Sequence, residues 1–173
     1  MKTKVIKVRL DPQGIEDAIK ELNQYKVDLE RRVRLLLKEM TDRGVEIARA
    51  KVVEHGIIHD AELTNSINGY VSPSLGAGFI RVDDVHAVFF EFGTGPVGAQ
   101  SPHPSGKGTY SSQGWYTRAD GKDMESLYGW TPLGGSDGDA YYLTYGQKSK
   151  PFMYDTALKL RDVFPQIVKV VFG

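Results

Sequence analysis

The 173-residue chain contains no cysteine, and this absence removes several kinds of functional site. Without thiols the chain has no disulfides, no zinc–thiolate centre and no cysteine nucleophile. Long apolar runs are also missing, since runs such as residues 87–90 are far shorter than the roughly 20 residues of a membrane helix. The first residues alternate charged and apolar side chains, so we expect neither a signal peptide nor a membrane partner.

The chain also lacks an excess of either charge, because 22 basic residues balance 22 acidic ones. A neutral chain has too weak a field for a dedicated DNA binder or for a protein that binds anionic membranes. Its content of 40% hydrophobic and 25% charged residues is typical of a folded globular protein. We therefore expect a single domain over residues 1–173.

The hydrophobic pattern of the first third predicts one strand and two helices. Alternation over residues 4–10 predicts a half-buried strand. A short helix is predicted from Asp11-Pro12 to about Leu22, and a longer one from about Lys26 to Glu54. Gly44 lies on the apolar stripe of the longer helix and indicates a bend or a close backbone contact.

The remaining elements complete a predicted α+β fold. Residues 66–71 and 77–82 read as a β-hairpin, whereas the run at 85–92 fits either a buried strand or helical turns. A terminal helix is predicted from Pro151 and is expected to be interrupted at Pro165. The expected architecture is a long N-terminal helix packed on a small, mostly antiparallel β-sheet, with a C-terminal helix.

Composition changes sharply between residues 93 and 150. This segment holds twelve of the nineteen glycines, both tryptophans and six of the nine tyrosines. A structureless loop of 58 residues is improbable in a compact domain, so we expect an aromatic, Gly-rich extended insertion at about residues 95–150, with a turn at Asp120-Gly121. Tyr and Trp favour packing on a neighbouring molecule. The expected oligomer or partner contacts are Phe89, Phe92, Trp115, Trp130, Tyr141 and Tyr142.

No motif predicts a catalytic residue, a cofactor or a metal ion. Residues 93–98 match G-x-G-x-x-G, but Pro102 and Pro104 follow in place of the amphipathic helix that a phosphate loop opens. His55 and His59 have the spacing of helical metal ligands, yet the glycine between them predicts the end of the helix. We expect an exposed histidine pair there.

Glu91 lies among three phenylalanines, and a buried carboxylate needs partners. We expect it to pair with a cation or to accept hydrogen bonds from the turn at residues 93–95. A single carboxylate without a catalytic partner in a readable motif favours a structural role.

Three segments together resemble one protein family. They are DAELTNSI at 60–67, HAVFFEFGTG at 86–95 and GQKSKPFMYDTAL at 146–158, and they follow a long helix in this order. The resemblance is to minor structural proteins of long-tailed bacteriophages that act in head–tail joining or tail completion. The residues that carry it, with an implied structural role, are Glu91, Gly93, Thr94, Pro151 and Phe152.

The resemblance implies an α+β fold, no enzymatic activity and a homo-oligomeric ring, commonly of six subunits. The ring would lie in the virion, between the head connector and the tail proteins, after assembly in the host cytoplasm. DNA would pass through it without sequence-specific binding.

Three alternatives remain open from the sequence. The first is a tail-tube terminator ring, which the sequence does not separate from a neck protein. The second is a glycan- or peptide-binding module that uses the aromatic insertion as a stacking surface. The third is a hydrolase in which Glu91 and His86 share a cleft.

Overall fold

One helix, α1 (Pro12–Glu54), makes up the first part of the fold. The computed structural model describes residues 5, 8–57, 60–120, 124–134 and 139–173. The Asp11 side chain accepts a hydrogen bond from the Gly14 amide at 2.6 Å, and this cap confirms the predicted helix start. The predicted break between Leu22 and Lys26 is wrong. The three residues between them include neither glycine nor proline, so the backbone hydrogen bonds continue.

The strand predicted at residues 4–10 is absent from its described part. Residues 8–10 are not in a strand, and Leu10 is 96% exposed. Residues 4, 6 and 7 lie outside the described residues. The alternating pattern is present, but residues 8–10 pair with no strand in the described part of the chain.

A short helix and a hairpin pack on the second half of α1. Helix α2 (Asp60–Ser66) leads into β1 (Ile67–Ser72), which pairs antiparallel with β2 (Ala77–Val82). The predicted hairpin is therefore confirmed. The predicted close contact at Gly44 is also confirmed, because a Cβ atom there would overlap the Ile80 side chain of β2.

The ambiguous run at residues 85–92 is helical, as α3 (Ala87–Phe92), and α4 (Gly95–Gln100) follows it directly. The sequence predicts no amphipathic helix after the glycine motif. Helix α4 has only six residues and begins inside the motif, and residues 101–114 are not helical. Gly98 packs on the ring of Tyr110, where a Cβ atom would lie 2.9 Å from Cδ1.

The insertion forms a second sheet, so the fold has two small antiparallel sheets in place of one. Its elements are β3 (Trp115–Asp120), α5 (Met124–Tyr128), β4 (Thr131–Gly134) and β5 (Asp139–Thr144). The strand order is β3-β5-β4. The predicted extended structure in this segment is confirmed. However, β3 pairs with β5, and α5 and β4 lie between these two strands in the sequence. The turn predicted at Gly121 lies outside the described residues.

The last helix, α6 (Phe152–Phe172), returns along α1 in the antiparallel direction. His55 Nε2 lies 2.9 Å from Asp155 Oδ2 near its start, and Arg32 Nη1 donates to the Val171 carbonyl at 3.2 Å near its end. The predicted interruption at Pro165 is wrong, because the helix continues through it. Pro165 is exposed, so water can satisfy the carbonyl that loses its intrahelical partner.

The core forms where the inner end of α1 meets the hairpin, α3 and the start of α6. Its buried members come from six parts of the chain, and they are Ala48, Val52, Ile57, Leu63, Ile67, Ala87, Phe90 and Phe152. The α+β architecture with a long N-terminal helix and a C-terminal helix is as predicted. None of the described helices combines the length and hydropathy needed to cross a membrane.

Candidate functional site

Two of the resembling segments, far apart in sequence, lie side by side in the fold. The Thr94 amide donates to the Gln147 carbonyl at 2.8 Å, and the Gln147 amide donates back at 3.2 Å. The Lys150 amide donates to the Phe90 carbonyl at 2.7 Å. Ser149 Oγ donates to the Glu91 carbonyl at 2.6 Å. We call this contact between residues 90–94 and 147–152 the junction.

The Glu91 side chain is buried at the junction and caps the N-terminus of α6. Oε2 accepts from the Met153 amide at 2.8 Å, and Oε1 accepts from the Tyr154 amide at 2.9 Å. These two amides have no intrahelical partner, and the helix dipole favours negative charge at this end. A partner for the buried carboxylate was correctly expected. The turn at residues 93–95 is not that partner.

The second partner of Glu91 is His103, which the sequence did not single out. His103 Nε2 lies 3.1 Å from Glu91 Oε1, and the imidazole is buried. The Ser105 amide donates to Nδ1 at 3.1 Å, so Nδ1 is an acceptor and Nε2 carries the proton that faces Glu91. No local spacing signals this pair, because it depends on the path of the loop after α4.

Glu91, His103 and Ser105 follow one another in the order of a hydrolytic triad, since Ser105 Oγ lies 2.6 Å from His103 Nδ1. Their surroundings differ from those of a triad. Both carboxylate oxygens of Glu91 are also bonded to the α6 backbone, and Ser105 is exposed on a turn. Tyr110 Oη donates to the Phe92 carbonyl at 2.9 Å and fixes the same loop. The bonds therefore hold the loop against α6.

The other junction residues have local structural reasons for their identity. Gly93 has φ of +75°, and a Cβ atom there would lie 2.7 Å from the Ser149 amide nitrogen. A larger residue at Gly93 would thus be strained and would clash. Pro151 precedes the first residue of α6, and Phe152 is fully buried in the core. Together with Glu91 and Thr94, they join the core to the insertion.

A groove of about 470 Å³ is lined by residues of α2, α3, α5 and the second sheet, and by Thr94 and Gln147 of the junction. Both tryptophans line it, together with Phe89 and Tyr128. The rings of Tyr128 and Trp130 are stacked with centroids 5.3 Å apart. A volume of this size suits a small ligand or a few side chains.

Two carboxylates are part of the lining of the groove. Glu62 and Asp84 line it, and the described lining residues include no lysine or arginine. Asp84 Oδ1 accepts from the His86 amide at 2.7 Å and lies 3.2 Å from His86 Nδ1. Burial raises the pKa of the Tyr128 phenol, and the negative charge of Glu62 raises that pKa further. The field in the groove therefore favours a positively charged group.

No protein-family model, no curated protein and no solved structure matches this chain.

The expected contact residues fall into two groups. Phe89, Trp115 and Trp130 line the groove, and Tyr141 is 45% exposed on the central strand of the second sheet. In contrast, Phe92 packs on His103 with ring centroids 4.7 Å apart. Tyr142 is only 6% exposed, and its ring lies 6.5 Å from that of Trp130. The roles of all six residues in partner contacts stay predictions.

The cleft required by the hydrolase alternative does not form. Glu91 bonds to His103 and to α6, whereas His86 bonds to Asp84 and lines the groove. Among the described residues, no group of three or more histidine and carboxylate side chains is placed to hold a metal ion. His55 is paired with Asp155, in place of the exposed pair expected, and His59 lies outside the described residues.

Proposed function

We propose that this chain is a virion assembly protein of a long-tailed bacteriophage or prophage. In this proposal its copies form a ring, of about six subunits by the resemblance, that joins the head connector to the tail. The protein acts by binding its own copies and the adjoining virion proteins. DNA passes through the ring without sequence-specific contacts.

The observation that carries the proposal is the uncovered apolar stripe on the outer part of α1. Ile15, Ile19 and Leu22 lie on one side of the helix at spacings of three and four residues, and they are 47%, 53% and 54% exposed. The end of α6 lies at the level of Arg32, so α1 continues for roughly 30 Å beyond it. An apolar helix face of this kind is typical of a surface that another chain covers.

The junction adds support from the family resemblance. Its residues come from the two resembling segments at 86–95 and 146–158, and they form one hydrogen-bonded unit. Contact between two segments that both resemble family motifs gives them a common role in holding the fold together. This contact supports a resemblance of the fold.

The proposal is tested by assembly of virions without the chain. We expect deletion of its gene to give filled heads and free tails of normal length. Purified wild-type protein should then join them in vitro, as counted by electron microscopy. A variant with Ile19→Lys and Leu22→Lys should fold but fail to join them. Joined, infectious particles formed without the protein would refute the proposal.

The tail-terminator alternative predicts a different result in the same deletion experiment. A chain that stops tube growth would leave tubes of abnormal length when it is deleted. Normal-length free tails therefore support the neck position, and overlong tubes support the terminator position.

The groove favours a second candidate, a ligand-binding module. Aromatic rings beside carboxylates are also found where proteins bind sugars or peptides. A stable monomer that binds a soluble glycan, with unchanged virion assembly after deletion, would favour this module over the ring.

A further inference from the structure

We infer that the groove binds the basic N-terminal segment of a neighbouring copy of the chain. The segment is residues 1–10, which we call the arm. The inference rests on the proposed self-assembly and names a contact through which it occurs.

The groove supplies the complementary chemistry. Its aromatic faces at Trp115, Tyr128 and Trp130 attract cations through the ring quadrupole. Glu62 and Asp84 add two negative charges on the same surface. Glu62 has no ion pair with any described basic side chain, so its charge is available to an incoming one.

The arm supplies the matching charge and apolar surface. Residues 1–10 contain four basic side chains, at Lys2, Lys4, Lys7 and Arg9, and no acidic one. Arg9 lies within 4.0 Å of two carboxylates of its own chain, so the inference rests on the three lysines. Its described apolar side chains are exposed: Val5 is 75% exposed and Val8 is 49% exposed. A segment of alternating basic and apolar residues fits a groove with acidic and aromatic walls.

The length of α1 excludes the chain's own arm as the occupant. The Arg49 guanidinium donates to the carbonyls of Thr64 and Ile67 at 3.1 and 3.0 Å, which places the end of α2 at the level of Arg49. Asp11 lies roughly 55 Å away along α1 at 1.5 Å per residue. Even a fully extended arm carries the Lys2 ammonium less than about 40 Å back from Asp11. The occupant is therefore an arm from another copy.

Peptide binding to the full-length chain tests the contact directly. The receptor carries Lys2→Gln, Lys4→Gln and Lys7→Gln, so the arms of neighbouring receptor copies do not compete with the peptide. The ligand is a peptide of residues 1–10, which has no aromatic residue, so the fluorescence signal comes from the protein. Both tryptophans of the protein line the groove and report on its occupancy.

We expect saturable binding that weakens as salt is added. Glu62→Gln in the receptor should weaken binding about tenfold, as should glutamine at Lys2, Lys4 and Lys7 of the peptide. Glu39→Gln, an exposed carboxylate on α1 outside the groove, is the matched control and should leave the affinity unchanged. A peptide that leaves the fluorescence unchanged, or that binds equally without its charges, would overturn the inference.

Mixing two full-length variants separates this inference from the proposed ring. The variant lacking arm lysines and the Glu62→Gln variant should each self-associate less than wild type in analytical ultracentrifugation. Their mixture should associate more than either alone, because one provides intact grooves and the other intact arms. If wild-type protein forms rings and these variants self-associate equally well, the arm contact is overturned and the ring proposal still stands. A fluorescence response to maltose or cellobiose, but none to the peptide, would overturn it in favour of a glycan site.

Discussion

The two halves of α1 are held by different interactions. Residues 34–54 contain five buried positions, at Thr41, Gly44, Ile47, Ala48 and Val52, where α1 contacts the hairpin and α6. In residues 12–33 only two small residues are buried, and ion pairs such as those of Asp28 with two arginines lie along the surface. One half of the helix is thus stabilised by packing within the chain, and the other half carries the exposed apolar stripe of Ile15, Ile19 and Leu22.

The inner half and its neighbours are expected to give the largest losses of stability. Phe152→Ala removes a fully buried ring from the core and should lower the free energy of unfolding by about 3–5 kcal/mol. Phe164→Ala, at an exposed position of the same helix, is the control and should cost less than about 1 kcal/mol. Urea unfolding followed by circular dichroism measures both. Equal losses would contradict the described position of the core.

Loss of the Glu91 cap is expected to give the second-largest loss of stability. Glu91→Gln keeps the side-chain shape but turns an NH2 group toward the amides of Met153 or Tyr154, or toward His103. At least one of these donors then loses its acceptor, which should cost about 2–3 kcal/mol. Glu62→Gln, at an exposed carboxylate, should change stability by less than about 0.5 kcal/mol. Unchanged unfolding of Glu91→Gln would show that the cap contributes little.

A smaller effect is expected where β2 meets α1. Gly44→Ala gains up to about 1 kcal/mol of helix propensity but forces its methyl group into the Ile80 side chain, which costs about 1–3 kcal/mol. We expect a net loss of about 1 kcal/mol in urea unfolding.

Ile80→Val removes the Cδ1 atom that the new methyl group meets. The double variant should therefore be more stable than the sum of the two single changes predicts, as a double-mutant cycle would show. Strict additivity would mean that the two side chains do not meet.

The outer half should give the smallest change in folding and the largest change in assembly. Ile19→Lys and Leu22→Lys add charge to a stripe that is already exposed, so the free energy of unfolding should shift by less than about 0.5 kcal/mol for each. Self-association measured by ultracentrifugation should be lost. If the double variant unfolds instead, the outer half is packed within the chain and the comparison fails.

Regular elements with local signals were predictable from the sequence. The cap at Asp11, the hairpin and the contact at Gly44 follow from residue types and spacing, and the structure confirms them. The wrong predictions arise where the position of a residue in the fold outweighs its usual local preference. Pro165 lies on the exposed side of α6, where the missing hydrogen bond costs less, so the helix is not interrupted there.

The candidate sites could not be predicted from the sequence, because their residues meet through tertiary contacts that residue spacing does not indicate. A buried Glu91 required partners, but His103 reaches it only because of the path of the loop after α4. Trp115 and Trp130 were predicted as contact residues separately. Their common groove follows from the pairing of β3 with β5 and of β4 with β5, which the intervening helix concealed.

The paired backbone bonds between Thr94 and Gln147 have an evolutionary consequence. They bring together two points of the chain that are 53 residues apart, so the segment between them leaves and re-enters the fold at one place. Segments whose ends meet in this way tolerate exchange and changes of length. A lineage can thus exchange or resize the aromatic segment while the helical frame that carries it is inherited unchanged.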